Sequence, residues 1–431
     1  MGLFAYQQAA LNRVDGKRRC AFYHDMGLGK TFTGAEKLMS DKCWHLALVV
    51  CQKSKVADWV DHFRSHYDID VLDLTTQYGM DMFEMSMDYS DVPDPFGDMP
   101  DAVGVINYDL LWRRPNLQAL KRFALMFDES SLLQNKSSKR TKAAMKLAAR
   151  ANELILLSGT PVDGKYERLW TQLNMLGWRI DEKLFWRQYV ESETTMCEGF
   201  PITKVTGYKN EERLVRKMKE LGCDFLKTDD VIDLPDQRFI RIDVPMSGYY
   251  RKFAKANVIT AFGRDFVGDT VFGDLTAKRQ LAAAYSRAKL EAFGDLLDGT
   301  SKRLVVFYNF DVELEGLTAE LEKRYRPYGV LNGKAHDLSP LFDTDDGVAL
   351  IQYQSGAMGV NLQQADTCIY FSPPLASSLF EQSKKRIHRV GQDKPCTYYE
   401  LVSKGTVEEK IYDTLAMRRD YTEKLFEMGG D

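Results

Sequence analysis

The residues with the most chemistry in them lie between Cys20 and Thr31, which read Cys-Ala-Phe-Tyr-His-Asp-Met-Gly-Leu-Gly-Lys-Thr. An apolar run enters a loop bearing Gly27 and Gly29, and Lys30-Thr31 then opens a helix expected over Phe32 to Met39. Glycine lets the backbone approach a phosphate closely, and the helix N-terminus and its free N–H groups favour negative charge. In such a cradle the Lys30 ammonium reaches the β and γ phosphates and the Thr31 hydroxyl holds Mg²⁺. Met26, Gly27, Leu28, Gly29, Lys30 and Thr31 therefore read as a nucleotide phosphate loop. One position departs from the general pattern: Gly or Ala is usual five residues before Gly29, and this chain has His24.

Three further stretches carry reactive or charged groups. Asp128-Glu129-Ser130-Ser131 follows the apolar run Phe123 to Phe127. Adjacent carboxylates at a strand end suit phosphoryl hydrolysis, with Asp128 holding Mg²⁺ and Glu129 orienting and deprotonating the attacking water. The plainer alternative is a solvated acidic turn. Ser158-Gly159-Thr160-Pro161 ends another apolar run, and by itself such a turn is ordinary loop. Near the C-terminus, Gln382, Arg386, Arg389, Gly391 and Gln392 sit on or beside an expected helix over Ser378 to Arg389. Arg386 and Arg389, three apart, would share one helical face, where guanidinium groups can fork onto phosphate oxygens. A basic, solvated face is the alternative there.

Positioning these groups requires strands that end where they stand. Apolar runs at Arg19 to Tyr23, Leu46 to Cys51, Val103 to Ile106, Phe123 to Phe127 and Glu153 to Leu157 read as strands, with helices at Lys55 to Ser65 and Lys139 to Arg150. The second half repeats the alternation, with strands at Arg303 to Phe307, Val348 to Tyr353 and Thr367 to Phe371, and helices at Val312 to Tyr325 and Val407 to Arg418. Alternating strands and helices predict an α/β fold with two parallel sheets covered by helices on both faces. The expected lobes are 1–235 and 236–431, divided near Leu234-Pro235, and residues 181–226 read as a polar helical section. No Lys or Arg occurs between Arg64 and Arg113, and acids accumulate from Asp81 to Asp101 among Pro93, Pro95, Gly97 and Pro100. That segment, 81–101, is expected to be an acidic, loop-like insertion, with a docking surface for a basic protein as the sharper alternative.

Composition sets outer bounds. The 431 residues suit two domains, and 44% apolar with 28% charged residues is ordinary for a globular chain. No apolar run approaches a membrane span, and Met1 to Arg13 lacks the apolar core of a signal peptide, so a cytoplasmic or nuclear protein without membrane contact is expected. Seven cysteines stand singly with no Cys-x-x-Cys pair, which fits reduced thiols rather than disulfides or zinc. A net charge of −4 gives no global attraction to nucleic acid, so any such binding must use a local basic surface.

In order and together, these stretches resemble the Swi/Snf-type ATPases of helicase superfamily II. The resemblance rests on Leu3-x-x-Tyr6-Gln7, Asp25 to Thr31, Asp128-Glu129-Ser130-Ser131 with Gln134-Asn135, and Ser158-Gly159-Thr160-Pro161 with Leu169-Trp170. It continues through Gly359-Val360-Asn361-Leu362-Gln363-Gln364-Ala365-Asp366, Arg386-Ile387-His388-Arg389-Val390-Gly391-Gln392 and Gly405-Thr406-Val407-Glu408-Glu409-Lys410-Ile411. It covers nearly the whole chain and implies two tandem RecA-like lobes with an ATP site in the cleft between them.

The same resemblance implies roles. Gln7 would contact adenine, Gly359 would border the nucleotide, and Arg386 and Arg389 would act as arginine fingers. Ser158, Gly159, Thr160, Gln382 and Gln392 would couple the nucleotide to DNA, and hydrolysis would depend on closure of the lobes. DNA contacts would come from Gln52, Lys53, Ser54, Asn107, Tyr108, Asn135, Lys136, Ser355, Gly356 and Asn361, tracking phosphates without reading sequence. Departures stand at Ser131, where His is usual, at Gln134, where Lys is usual, and at Leu375-Ala376-Ser377, where Trp-Asn-Pro is common; Gly333 to Gly347 is also short. The chain resembles a compact bacterial or viral member, acting as a monomer. The expected activity is ATP- and Mg²⁺-dependent translocation on double-stranded DNA without strand separation. The alternatives are an annealing or fork-remodelling enzyme, a true unwinding helicase, and a non-catalytic DNA-binding scaffold.

Overall fold

The computed structural model describes residues 2–40, 44–89, 101–197, 200–355 and 360–430. The chain folds as two compact units, Met1–Val231 with Asp420–Asp431, and Ile232–Arg419. The change of unit falls between Val231 and Ile232, and the end of the chain groups with the first unit, where Leu425 and Phe426 are buried.

In the first unit the strands are β1 (Arg19–His24), β2 (Leu46–Cys51), β3 (Asp70–Asp73), β4 (Ala102–Asn107), β5 (Phe123–Asp128), β6 (Glu153–Ser158), β7 (Val190–Cys197), β8 (Phe200–Tyr208) and β9 (Cys223–Leu226). Seven of them form one sheet in the order β3-β4-β2-β5-β6-β1-β9, with every pairing parallel. A parallel sheet needs cover on both faces, which is why β2 reads Leu-Ala-Leu-Val-Val-Cys without alternation and is buried throughout. Its residues divide by parity. Leu46, Leu48 and Val50 join a core with helices Lys139–Ala148 and Leu169–Met175, and Ala47, Val49 and Cys51 join one with helices Lys30–Ser40 and Val56–His66. Gly34 permits a close approach of its helix to β6, since a Cβ there would stand 2.8 Å from Leu157 Cδ1.

Two regional expectations need correction. Residues 181–226 are not wholly helical. An antiparallel hairpin, β7 with β8, separates helices Glu182–Tyr189 and Glu211–Glu220, and β9 then joins the main sheet beside β1. The acidic segment is not loop-like at its start. Gln77–Tyr89 is a helix that buries Met80 and Phe83 at helical spacing. The remainder of that segment, 90–100, lies outside the described residues.

The second unit holds β10 (Gln237–Val244), β11 (Val258–Ala261), β12 (Arg264–Val267), β13 (Leu304–Tyr308), β14 (Tyr328–Leu331), β15 (His336–Asp337), β16 (Val348–Gln352), β17 (Thr367–Tyr370) and β18 (Cys396–Ser403). Its sheet runs β10-β18-β17-β13-β16-β14-β15 and is parallel except for β14 with β15. The parity rule recurs: Leu304, Val306 and Tyr308 face helices Arg287–Asp298 and Asp311–Glu322, while Val305 and Phe307 face Phe380, Ile411 and Leu415. Two mostly parallel α/β units are thus present as expected. Cys51, Cys223, Cys368 and Cys396 are buried free thiols, Cys20 is buried as well, and no described helix is long and apolar enough to cross a membrane.

Candidate nucleotide site and the turns around it

Because the first sheet is parallel, the loops after β1, β2, β4, β5 and β6 all leave its carboxyl edge, where ligand sites of open α/β sheets collect. The loop after β1 turns through Gly27 at φ 88° and Gly29 at φ 69°, conformations costly for other residues, and enters the helix at Lys30. Gly29 is fixed by space as well, since a Cβ there would stand 2.5 Å from Gln7 Nε2. Gln7 is buried, its Nε2 donates to the carbonyls of Leu28 (3.1 Å) and Gly29 (3.4 Å), and its Oε1 accepts from the Phe4 N–H (2.9 Å). It struts the helix Ala5–Arg13 against the glycine loop.

The Lys30 ammonium is folded onto its own loop, donating to the carbonyls of His24 (2.9 Å) and Asp25 (3.1 Å). A Cβ on Gly159 would stand 3.3 Å from Lys30 Nζ and 3.2 Å from Met26 Cγ, so the Ser-Gly-Thr-Pro turn abuts the phosphate loop. His24 fills the position where Gly or Ala is usual for a structural reason. Fully buried at the end of β1, it pairs through Nε2 with Asp224 Oδ2 on β9 at 2.6 Å, while Arg13 grips the same carboxylate. Burial drives the Asp224 carboxyl up, but hydrogen bonds from His24 and Arg13 outweigh it and hold the group below its ordinary value. Burial lowers the His24 imidazole in spite of that carboxylate.

At the end of β5, Asp128 receives a hydrogen bond on Oδ2 from Trp59 Nε1 at 2.9 Å, and its backbone carbonyl accepts from the Tyr108 hydroxyl at 2.7 Å. Burial raises the Asp128 carboxyl; the Trp59 bond and then the Lys30 charge oppose this without cancelling it. A half-buried carboxylate still short of stabilising charge suits a hard divalent cation, and Thr31, half-buried at the first turn of the helix, can supply a hydroxyl oxygen to it. The residues present therefore fit Mg²⁺ with a nucleotide phosphate. Glu129 holds a left-handed backbone conformation, φ 54° and ψ 55°, which is uncommon for a side chain with a Cβ and turns it sharply away from the strand.

One buried amide ties these turns together, and nothing in the sequence spacing identified it. Gln172, fully buried on the helix Leu169–Met175, accepts at Oε1 from Ser130 Oγ (2.8 Å) and Tyr23 OH (3.2 Å) and donates through Nε2 to Pro161 O (2.7 Å). It thus touches β1, the Asp-Glu-Ser-Ser turn and the Ser-Gly-Thr-Pro turn at once. Gln134 adds a second amide to the same carbonyl, donating to Pro161 O at 3.3 Å and accepting from Arg168 at 3.1 Å. Trp59 was likewise not visible as a site residue. Its only sequence signal is apolar spacing along Val56–His66, which also describes a core residue.

The residues expected to meet DNA are dispersed in role. Gln52 precedes the short turn Lys53–Lys55, where Lys53 and Ser54 are exposed. Asn107 Oδ1 caps the next turn by accepting from Leu110 N at 2.9 Å, and Tyr108 is buried. Asn135 is exposed but accepts from Ser137 N and Oγ, and Lys136 pairs with Glu182. In the second unit Ser355 is buried and Asn361 exposed. Gly356 and Gly359 lie outside the described residues.

Arg386 and Arg389 do not share a helical face. The helix is Ser377–Lys384, and its last carbonyl accepts from the Tyr398 hydroxyl at 2.9 Å and from His388 N at 3.3 Å, so the arginines stand in the following turn. There the Arg386 carbonyl accepts from Leu362 N at 3.1 Å and Arg389 donates to Asn361 Oδ1. Gln392 Nε2 lies within hydrogen-bond reach of the carbonyls of Gln363, Ala365 and Ile387, while Gln382 is half-buried on the helix. The two separated stretches, 360–366 and 386–392, are thereby stitched into one substructure of the second unit.

A family model described as the SNF2-related domain matches residues 6–285. Among curated proteins, the chain is 26% identical over 441 residues to the Caenorhabditis elegans SWI/SNF-related matrix-associated actin-dependent regulator of chromatin subfamily A-like protein 1 homolog, with 97% of this chain and 61% of that protein covered. The Xenopus laevis protein of that name is 24% identical, with 95% and 42% covered, and an uncharacterized ATP-dependent helicase of Mycoplasma genitalium is 21% identical, with 93% and 39% covered. Among solved structures, the Sulfolobus solfataricus SWI2/SNF2 ATPase core in complex with dsDNA is 19% identical with a TM-score of 0.45, covering 100% of this chain and 94% of that one. The chain spans between 42% and 61% of the length of the four SWI/SNF-related relatives.

Proposed function

The chain belongs to the SNF2-related family, and from that premise we propose that it is a DNA-dependent ATPase that couples hydrolysis to translocation along double-stranded DNA without separating the strands. The observation that carries this reading is the convergence of the Lys30, Asp128-Glu129 and Ser158-Gly159-Thr160 turns on one sheet edge, joined through Gln172. On this reading the loop Met26–Thr31 binds the phosphates, and Lys30 exchanges the His24 and Asp25 carbonyls for phosphate oxygens. Thr31 and Asp128 hold Mg²⁺, which when bound neutralises phosphate charge. Glu129 takes the proton of the attacking water, Gln7 places the nucleotide base, and Arg386 and Arg389 supply positive charge from the second unit. The Ser130–Gln172–Pro161 bonds give a change at the phosphates a route to the loops that are to follow DNA.

ATP turnover with and without blunt duplex DNA tests the reading directly. Turnover should rise with duplex and fall to background in Lys30→Ala, Glu129→Gln and Arg389→Ala; full turnover in the lysine variant would sink the assignment. In a separate assay the protein should displace a triplex-forming strand while the duplex stays paired, and release of single strands would replace translocation by unwinding. We further propose that the protein works as a monomer in cytoplasm or nucleus, with the acidic segment 81–101 open to a basic protein partner.

A further inference from the structure

The second unit carries a small substructure whose outer surface its sheet does not use. Helix Gly248–Ala256, the β11–β12 hairpin and helix Val271–Ala282 close a core of their own around Tyr250, Phe253, Phe266 and Leu281. With Tyr250 and Phe253 turned inward, the first helix presents Tyr249, Arg251, Lys252 and Lys255 outward, all exposed. From Pro245 to Arg264 the chain has four cations, Arg251, Lys252, Lys255 and Arg264, and no Asp or Glu, in a protein of net charge −4. Of the acids that flank this stretch, Asp274 pairs with Lys278 at 2.7 Å and Asp243 with Arg241 at 2.6 Å, while Asp265 accepts from Thr260 Oγ1 at 2.6 Å across the hairpin.

The hairpin tip adds a second, independent observation. Its two turn residues, Phe262 and Gly263, both have positive φ, 55° and 70°, the signature of a type I′ turn. Such turns favour Asn or Gly at the first position, and a phenylalanine there is a steric outlier. The ring is nonetheless 51% exposed, stacked on Tyr285 (centroids 4.3 Å apart, planes 19° apart) and set against Tyr249 at 4.6 Å. Folding alone would favour asparagine at this position. What phenylalanine adds is a flat apolar face beside a strip of exposed cations.

We propose that this substructure docks a single strand of DNA, with Arg251, Lys252, Lys255 and Arg264 on successive phosphates and an unpaired base stacked on the Phe262–Tyr249 pair. The combination selects this occupant: cations alone would serve any polyanion, but an exposed ring pair among them matches the alternation of phosphate and base. The inference rests on the chain being a DNA-dependent enzyme and adds where an unpaired strand would go.

Fluorescence anisotropy on the whole chain, with oligothymidylate and blunt duplex as probes over a range of salt, tests it. Phe262→Asn suits the turn, so it should melt at or above the wild-type temperature while binding oligothymidylate about tenfold more weakly and duplex unchanged. Joint substitution of Arg251, Lys252 and Lys255 by Gln should weaken oligothymidylate and flatten its log K against log salt slope by about 2. Unchanged oligothymidylate binding in Phe262→Asn overturns the stacking role, and a wild-type salt slope in the triple variant overturns the phosphate role and returns the surface to an acidic protein partner. Duplex-stimulated ATP turnover, measured alongside, keeps the two readings apart. Wild-type turnover with unchanged Phe262→Asn binding overturns this inference alone, and absent turnover overturns the enzymatic reading while the binding data still judge the surface.

Discussion

The two units share a sheet plan and differ in where they put their polar groups. In the first, the turns at the carboxyl edge of the sheet are held against one another through neutral amides and hydroxyls, those of Gln7, Ser130 and Gln172, while the Asp224 carboxylate, gripped by His24 and Arg13, lies behind them between β1 and β9. In the second, ionisable groups go into the body of the fold. Lys289 and Glu408 are both fully buried and paired at 2.5 Å, and Glu313 is fully buried at the start of the helix Asp311–Glu322. The difference teaches that turns at a reactive edge can be joined to one another by groups that fix geometry without fixing charge, leaving Lys30 and Asp128 to respond to a ligand. A buried ion pair suits a frame instead, because it is costly to separate and so holds one arrangement.

Two substitutions would sharpen this division most. Lys30→Ala should reduce ATP turnover at least about a thousandfold, the scale expected when charge stabilisation of phosphoryl transfer is removed, with little change in thermal melting. Lys289→Met should behave in the opposite way. It leaves Glu408 buried without its cation, so unfolding by denaturant should show a loss of about 3 to 5 kcal/mol, while ATP affinity per folded molecule stays near wild type. A Lys289→Met chain of wild-type stability would remove the contrast between the units.

The units should also differ in the sign of their pH response. Glu313 accepts from Asn309 N (2.8 Å) and Ser372 Oγ (2.9 Å), yet burial outweighs these bonds and pushes its carboxyl up to about 7. Folded, it holds a proton that the unfolded chain releases near pH 4.5, so its contribution to stability is present at low pH and is lost as pH rises towards 7. His62 is pulled down to about 4, chiefly by burial and then by the His66 ring stacked 4.6 Å away. Folded, it stays neutral where the unfolded chain takes a proton, so stability is lost as pH falls from about 6.5 towards 4. Unfolding followed at pH 5 and pH 7 should show the Glu313→Gln variant without the second unit's loss, a difference on the order of 2 kcal/mol. Equal pH slopes in both proteins would rule out the raised Glu313 carboxyl.

Much of the frame was legible in the sequence because a parallel sheet covered on both faces leaves unbroken apolar runs. β2 could be read to the residue, and β1, β5 and β6 to within a residue or so. Short strands with acids in them, β3 with Asp70 and Asp73 and β9 with Asp224, break that pattern and escaped notice. The loop residues Gly27, Gly29 and Lys30 were legible because their types are demanded by backbone angle and charge. The helix below Arg386 and Arg389 is shorter than the sequence pattern implies, ending at Lys384 rather than Arg389. Its end depends on Tyr398, a residue of another strand, and no local propensity reports such a partner. His24 looked like a defect until β9 supplied Asp224.

Gln172 is the furthest case of that kind and gives the smallest effect expected here. Between Leu169 and Leu173 it occupies an apolar helix face, so spacing offers core packing and nothing more. Its meaning comes from three partners that are distant in sequence, Tyr23, Ser130 and Pro161. Gln172→Leu keeps the volume and the helix propensity but leaves the Ser130 and Tyr23 hydroxyls without their acceptor; the Pro161 carbonyl keeps its bond from Gln134. Stability should fall by about 1 to 2 kcal/mol, which an inert core position would also give. What separates the two is the ratio of duplex-stimulated to unstimulated ATP turnover. If the amide joins the turn after β5 to the turn after β6, that ratio should drop severalfold while the KM for ATP barely moves. A variant less stable but fully stimulated by DNA would reduce Gln172 to packing, and the polar edge of the first unit would then differ from the charged interior of the second in composition alone.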